Sequence, residues 1–171
     1  MRKLLALPCV LALSACGFHP LYGPQHGQSA TVAARLDEVD IGLIPDRQGQ
    51  LLREALESDL QRAGAPSYYR YHLAVSYSIN VQIIGIQQDS SNTRNRYLAT
   101  AQWTLTPEGN RTIPVAKGTA SAMDAENVID NQYFQATLDN GVMRHQLARE
   151  IAHQITAQLA IYLRAHPAAG S

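Results

Sequence analysis

The most regular hydrophobic pattern in the chain lies in the stretch Tyr69-Arg70-Tyr71-His72-Leu73-Ala74-Val75-Ser76-Tyr77-Ser78-Ile79-Asn80-Val81-Gln82-Ile83. Every odd position is aromatic or aliphatic, and most even positions are polar. Successive side chains of a strand point to opposite faces, so this pattern predicts a long strand with one buried face and one wet face. At Ile84-Gly85-Ile86 the apolar residues move from odd-numbered to even-numbered positions. A glycine at such a change in the alternation predicts a β-bulge.

A second alternating run follows after a short polar turn, residues 89–93. Its apolar positions are Tyr97, Ala99, Ala101, Trp103 and Leu105. Two alternating runs around a short turn predict a β-hairpin. The expected register pairs Ile83 with Ala99, Ile79 with Trp103 and Tyr77 with Leu105. One extra residue near Ile84 then lets Ile86 oppose Tyr97 on the same face.

The segments on either side supply two further strands and two helices. Alternation from Val39 to Leu43 predicts a first strand, and small residues over 113–122 predict another, with Pro114 suiting its start or an edge. Apolar residues at three- and four-residue steps predict a helix after Pro45, with Asp46 as its N-cap. The same spacing predicts a last helix over residues 139–164, whereas residues 25–34 are small and polar and look like a linker.

The element order β-α-β-β-β-α predicts an α+β fold. Each helix has one apolar stripe and the sheet has one apolar face, so we expect a two-layer sandwich. Both helices pack on one face of a four-stranded mixed, mostly antiparallel sheet. The opposite face carries short uncharged polar groups, namely Ser78, Asn80, Gln82, Thr100, Gln102 and Thr104. Solvated sheet faces usually carry more Lys and Glu, so we infer that this face meets another polar surface, and a face that meets only solvent is the alternative.

The N-terminus has the layout of a secretory signal peptide. Arg2 and Lys3 precede an apolar run that ends in Leu13-Ser14-Ala15-Cys16. The run is far shorter than the roughly 20 apolar residues that a membrane-spanning helix requires. A leader that ends in leucine, two small residues and cysteine resembles the lipobox of bacterial lipoproteins, and an ordinary signal peptide with a chance cysteine is the alternative.

Composition excludes several classes of protein. Cleavage before Cys16 removes Arg2 and Lys3, which leaves 12 of the 14 basic residues against 14 acidic ones, a charge of about −2. A nucleic-acid-binding domain needs a clustered basic surface, so no nucleic-acid partner is expected. Cys9 leaves with the signal peptide, so the mature chain has a single cysteine and no disulfide. The six histidines have no metal-ligand spacing and no catalytic set is visible, so we expect neither a metal site nor an enzyme.

These features together resemble the LptE family of lipopolysaccharide-assembly lipoproteins. Two stretches are most specific to this family. One is Cys16-Gly17-Phe18-His19-Pro20-Leu21-Tyr22-Gly23, which starts at the lipobox cysteine, and the other is Leu159-Ala160-Ile161-Tyr162-Leu163 at the end of the last helix. The resemblance covers essentially the whole mature chain. The strand and helix order alone would be weak support, because many small domains share it.

The resemblance implies a lipoprotein that is anchored in the outer membrane, faces the periplasm and plugs a large partner β-barrel, LptD. Cys16 would carry a diacylglycerol thioether and an N-acyl chain such as palmitate, with no other cofactor. The implied division is a signal peptide (1–15), a lipidated tether (16–37), an α+β plug domain (38–165) and a disordered tail (166–171). The implied function is to assemble the barrel and to assist insertion of lipopolysaccharide into the outer leaflet.

Lipopolysaccharide carries phosphates, which Arg and Lys bind well. Arg94 and Arg96 flank the predicted hairpin tip, and Lys117 lies in the next strand. The resemblance implies that basic residues of this region contact lipopolysaccharide, and the alternative is that they only solubilise one end of the sheet. Two other functions stay open: a free-standing lipid- or peptidoglycan-binding lipoprotein, and a periplasmic hydrolase.

Overall fold

A computed structural model of the chain describes residues 28–62, 64, 66–86, 92–127 and 133–167. The predicted signal peptide and Cys16 lie outside these residues. Within them the elements are α1 (Gln28–Asp37), β1 (Val39–Ile41), α2 (Asp46–Leu60), β2 (Tyr71–Ile86), β3 (Asn92–Pro107), β4 (Ala116–Asn127) and α3 (Tyr133–Ala165).

The four strands form one open sheet in the order β1-β2-β3-β4. β1 is parallel to β2, and the other two neighbouring pairs are antiparallel. Helices α2 and α3 pack on each other and on one side of this sheet. The prediction of an α+β fold with a mixed, mostly antiparallel sheet is therefore confirmed, with α1 as an addition.

The core lies between the sheet and the two long helices. Odd positions of β2 and β3 supply the sheet side, and Leu73, Ala99, Ala101 and Leu105 are fully buried. The helix side comes from the periodic residues predicted from the sequence, namely Leu52, Leu56, Leu60, Leu147, Ile151, Ile155 and Leu159. Each large aliphatic side chain removed from water stabilises the fold by about 1.5–3 kcal/mol. The apolar stripes therefore fix which face of each element points inward.

The hairpin register differs from the predicted one by four residues. Ile79 pairs with Ala99, Tyr77 with Ala101 and Val75 with Trp103. A shift by an even number of residues leaves every side chain on the same face, so hydrophobic alternation could not distinguish the two registers. The predicted bulge is confirmed, because the pairing shifts between Ile83 and Gly85 and again before Ile86.

Helix α1 occupies most of the segment that composition predicted to be a linker, and that prediction was wrong. Val32 and Arg35 are both buried. The Arg35 guanidinium donates one hydrogen bond to the backbone carbonyl of Leu163 and another, 3.1 Å long, to the hydroxyl of Tyr71. The Leu163 carbonyl lies in the last turn of α3, where the helix dipole favours a cation. Long-range hydrogen bonds of Arg35 and the burial of Val32 therefore hold α1 against the folded domain.

The start of α2 also differs from the predicted capping arrangement. The N-cap position is Pro45, and no side chain caps the helix there. Asp46 instead has a positive φ of 68°. Aspartate is one of the few residues other than glycine that adopts this left-handed conformation, so its role here is in the backbone turn.

Tyr77 carries a buried hydroxyl with no hydrogen-bond partner among the described residues. Burial raises its pKa from 10.0 to about 12. Removing an unsatisfied buried hydroxyl should stabilise the fold, so we expect Tyr77→Phe to raise the free energy of unfolding by about 1 kcal/mol at neutral pH. Chemical denaturation of both proteins at pH 7 measures this.

Tyr77→Phe should also change how the free energy of unfolding depends on pH in the alkaline range. The folded state favours the neutral phenol, so the Tyr77 contribution is complete below pH 10 and is lost as the pH rises to about 12. Allowing for partial solvent exposure, the wild type should lose roughly 1 kcal/mol more than Tyr77→Phe over this range. A constant difference between the two proteins from pH 9 to pH 12 would contradict this interpretation.

Candidate functional site

The side of the sheet opposite the helices is the most distinctive surface of the molecule. We define the polar face by fifteen outward positions: 74, 76, 78, 80 and 82 in β2, 96, 98, 100, 102 and 104 in β3, and 117, 119, 121, 123 and 125 in β4. These positions alternate with the buried residues of the same strands. All six short polar residues predicted for this face lie on it.

The polar face carries few charges and no acidic residue. Nine positions hold uncharged polar residues, four hold Ala, Leu or Met, two hold basic residues and none holds an acid. In the whole chain 16% of residues are charged, with acidic and basic residues in equal number, so the absence of acidic residues sets this face apart. A face of Ser, Thr, Asn and Gln loses little solvation free energy on burial if each group finds a hydrogen-bond partner. This surface is therefore suited to a hydrogen-bonding partner.

A depression of about 740 Å³ lies on this side of the sheet, near β1. Its lining combines polar residues, namely His72, Ser76, Gln102, Thr104, Lys117 and Thr119, with apolar ones, namely Leu43, Ala74, Val75 and Trp103. Lys117 is exposed and pairs with Thr104, so its ammonium group is available at the rim. Hydroxyls, amides and one cation together can bind a phosphate or a sugar by charge-assisted and neutral hydrogen bonds.

The three predicted basic residues lie on one side of the sheet but at two ends of it. Arg96 pairs with Gln82 and Ala125, close to the hairpin tip, and Arg94 is next to the tip on the same side of β3. Lys117 pairs with Thr104, eight positions along β3 from Arg96, which corresponds to roughly 26 Å at a strand rise of about 3.3 Å per residue. The strand of Lys117 pairs with the strand of Arg96, as predicted, but the register places Lys117 far from the hairpin tip, so the three residues do not form one cluster.

A network of ionisable groups closes the β1 end of the same side. His72 Nδ1 lies 2.8 Å from Asp40 Oδ2, and the Arg111 guanidinium contacts both Glu108 and Asp40. Asp40, His72 and Glu108 present ligand-type atoms within 4.8 Å of one another. Because Arg111 already supplies a positive charge to both carboxylates, we interpret the group as an ion-pair network.

Sequence spacing could not reveal this network, since Asp40 and His72 are 32 residues apart and Glu108 is more distant still. Only the parallel pairing of β1 with β2 brings Asp40 opposite His72. Among the described residues, no helix is long and apolar enough to span a membrane.

The sequence matches one protein-family model. The model is described as LptE, lipopolysaccharide-assembly, and it matches residues 36–159, from the end of α1 to near the end of α3. Among curated proteins, none matches the chain.

Solved structures with the same fold come from several bacteria. A protein described as a lipoprotein of Caulobacter crescentus CB15 has 24% identity and a TM-score of 0.64, with 81% of this chain and 98% of that chain covered. A minor lipoprotein of Acinetobacter baumannii has 15% identity and a TM-score of 0.59, covering 72% and 90%. The rare lipoprotein B of Shewanella oneidensis has 8% identity and a TM-score of 0.55, covering 72% and 94%. At these identities the likeness shows the fold alone.

Proposed function

The chain belongs to the LptE family of lipopolysaccharide-assembly lipoproteins, and we propose that it plugs and assembles the β-barrel of LptD. In this proposal it faces the periplasm from the outer membrane and assists insertion of lipopolysaccharide into the outer leaflet. Its role is structural and not enzymatic.

The observation that carries this proposal is the composition of the polar face. The lumen of a large outer-membrane barrel is polar. A partner that fills such a lumen must offer hydrogen-bonding groups without many charges, because an unpaired charge removed from water costs several kcal/mol. Nine of the fifteen positions on the polar face meet that requirement, and none is acidic.

The helix layer supports the same assignment. Helices α2 and α3 cover the apolar side of the sheet, so the fold is complete without using the polar face. A partner can therefore bind there without competing with core formation. In the proposal, the lipid on Cys16 holds the protein at the membrane, since several acyl chains anchor stably where one binds marginally. Gly17 in place of an aspartate is consistent with sorting to the outer membrane.

Isolation of the tagged, full-length lipoprotein from detergent-solubilised outer membranes tests the proposal. We expect a stoichiometric barrel protein of several hundred residues to be isolated with it. A lipoprotein that is isolated alone would contradict the plug assignment and would favour the alternative, a free-standing lipid- or peptidoglycan-binding lipoprotein.

We further propose that Lys117 and Arg96, with Arg94 beside the latter, contact lipopolysaccharide at two separate points. Lys117 lies beside the depression, and Arg96 lies at the distal end of the same face. The separation of roughly 26 Å fits an extended amphiphile better than a single phosphate.

Lys117→Ala and Arg96→Ala should each weaken binding of lipopolysaccharide by about tenfold, because each removes one charge-assisted contact. Binding of labelled lipopolysaccharide to the detergent-purified complex measures this. Arg47→Ala is the control, since Arg47 is an exposed residue of α2 with the same charge. Equal losses from all three variants would mean that only net charge matters.

A further inference from the structure

His72 lies at the margin of the depression, between the ion-pair network and the rest of the polar face. Its Nδ1 is 2.8 Å from Oδ2 of Asp40, on the neighbouring strand β1. The opposite edge of the ring lies against Gly42, two residues further along the chain, where an added Cβ would be 3.2 Å from both Cε1 and Nε2. Gly42 and His72 both line the depression, so the Nε2 edge of the imidazole lies on that side.

Nε2 of His72 has no hydrogen-bond partner in the part of the chain that the structure describes, although the side chain is only 19% exposed. A carboxylate only accepts hydrogen bonds, so Nδ1 carries a hydrogen and donates it to Asp40. In the neutral ring Nε2 is then a bare acceptor, whereas in the protonated ring it is a donor. Nε2 can therefore bind an anion only after the ring gains a proton.

Lys117 and Thr104 supply two further donors from the other side of the depression. Thr104 pairs with both Lys117 and Ala74, so these three residues form one row across the sheet, next to the row of His72. The Cα atoms of His72 and Lys117 are roughly 12 Å apart, from two strand spacings of about 4.8 Å and a two-residue offset. The small side chain of Ala74 leaves space between them, and the long lysine stem reaches into it. Among the described residues, neither the Thr104 hydroxyl nor the Lys117 ammonium has a partner.

The charges around His72 favour an anion only when its ring is protonated. The charged groups that surround it on this side of the sheet are two ion-paired arginines, three carboxylates and one lysine, namely Arg70, Arg111, Glu38, Asp40, Glu108 and Lys117. Arg70 pairs with Glu38, and Arg111 lies between Glu108 and Asp40, so one negative charge of the network remains uncompensated. A proton on His72 neutralises that charge, and Lys117 then makes the depression net positive.

We propose that the depression binds a phosphate monoester carried on a sugar, and that protonated His72 completes this site. The phosphate oxygens accept hydrogen bonds from Nε2 of His72, the Thr104 hydroxyl and the Lys117 ammonium. Ser76 and Gln102, in the next row of the polar face, offer hydrogen bonds to the sugar hydroxyls. Free imidazole titrates at about pH 6.5, so binding strengthens as the pH falls through this region. The inference deepens the proposed contact of Lys117 with lipopolysaccharide and rests on it.

Titration of the full-length lipoprotein, in a non-ionic detergent, with glucosamine 6-phosphate tests the proposal, with NMR spectra as the readout. His72→Gln keeps a donor for Asp40 but cannot be protonated. The wild type should therefore bind about tenfold more tightly than this variant at about pH 5.5, and within about twofold of it at about pH 8. The phosphate group also titrates in this range, and comparing the two proteins at each pH cancels that effect.

His153→Gln is the matched control, because His153 Nδ1 also lies beside a carboxylate, 2.6 Å from Oδ2 of Asp59, but on the helix layer. This variant should bind as the wild type does at both pH values. Thr104→Val keeps the shape of an exposed side chain and removes only its hydroxyl, so it should weaken binding about fivefold at both pH values. Glucosamine and inorganic phosphate should each bind at least about fivefold more weakly than the sugar phosphate, since each lacks one half of the ligand.

Four results would overturn the proposal: an equal effect of His72→Gln at both pH values, the same effect from His153→Gln, wild-type binding by Thr104→Val, or inorganic phosphate that binds as tightly as the sugar phosphate. The last result would assign the depression to free phosphate. Labelled lipopolysaccharide separates this inference from the proposed function. Weaker binding by Lys117→Ala, with none of the pH-dependent loss in His72→Gln, would overturn the inference alone, whereas unchanged binding by both variants would overturn the proposed lipopolysaccharide contact as well.

Discussion

The double substitution Gln82→Arg and Thr100→Arg should reduce the amount of barrel protein isolated with the lipoprotein at least about tenfold. Thr100 lies near the centre of the polar face, and Gln82 lies at the end close to the β2–β3 hairpin tip. Neither side chain contributes to the core. In the bound complex each arginine would be removed from water without a counter-charge, at a cost of several kcal/mol per ion. The melting temperature of the free lipoprotein should fall only slightly, because the polar face is solvated before binding and the new like-charge pair, arginine at position 82 opposite Arg96, costs at most about 1 kcal/mol.

The matched control places the same two charges on the helix layer. Gln50 in α2 and Ala157 in α3 are exposed, and Gln50→Arg with Ala157→Arg should leave the barrel complex intact. Arginine is nearly as good a helix former as alanine, so the control should also keep α3 folded. Quantitative isolation from outer membranes, with thermal unfolding of each purified variant, measures both effects. If the polar-face variant still binds a full equivalent of barrel, the assignment of this face is wrong.

Gly118→Val should lower the free energy of unfolding by about 3 kcal/mol, the upper end of the usual cost of overpacking. A Cβ at Gly118 would lie 2.7 Å from Cζ2 of the Trp103 ring and 2.7 Å from Oε1 of Gln158. Trp103 is buried and donates a 2.9 Å hydrogen bond from Nε1 to that same oxygen. Because the added side chain separates Trp103 from Gln158, it removes their hydrogen bond. It also displaces the Gln158 carboxamide from the Thr119 carbonyl of β4.

Gly141→Ala is the control for this prediction. Gly141 lies in α3, and a Cβ there has no neighbour within 4 Å among the described residues. Alanine should therefore stabilise the helix by about 1 kcal/mol, so the two glycine substitutions have opposite signs. Denaturant unfolding of both variants at neutral pH measures the difference. Gly118→Val with wild-type stability would show that β4 is not held against Trp103.

Local patterns were sufficient to predict the layers of this fold but not every pairing within it. Period-two alternation in β2 and β3 identified the buried side chains, because a strand has only two faces. The four-residue error in register kept that parity, so only the length of the turn could have corrected it. Helix α1 was missed because it is held by tertiary contacts, the burial of Val32 and the hydrogen bond from Arg35 to the Leu163 carbonyl, which local composition does not show.

The sequence predicted which residues lie on the polar face, but not how the basic residues are arranged on it. The six polar residues that alternation assigned to the outward face all lie there. Lys117 was predicted to lie in the strand next to that of Arg96, and it does, but the register of β4 on β3 places the two residues at opposite ends of the face. The contacts of His72 and Gln154 depend on residues more than 30 positions away, and no spacing in the sequence indicates them.

Site-specific photo-crosslinking in living cells tests the assignment of the polar face most directly. A photoreactive residue at Thr100, on the polar face, should form a covalent adduct with the barrel protein, whereas the same residue at Ala157, on the helix layer, should not. A crosslink from Ala157 and none from Thr100 would show that the helices, and not the polar face, contact the barrel.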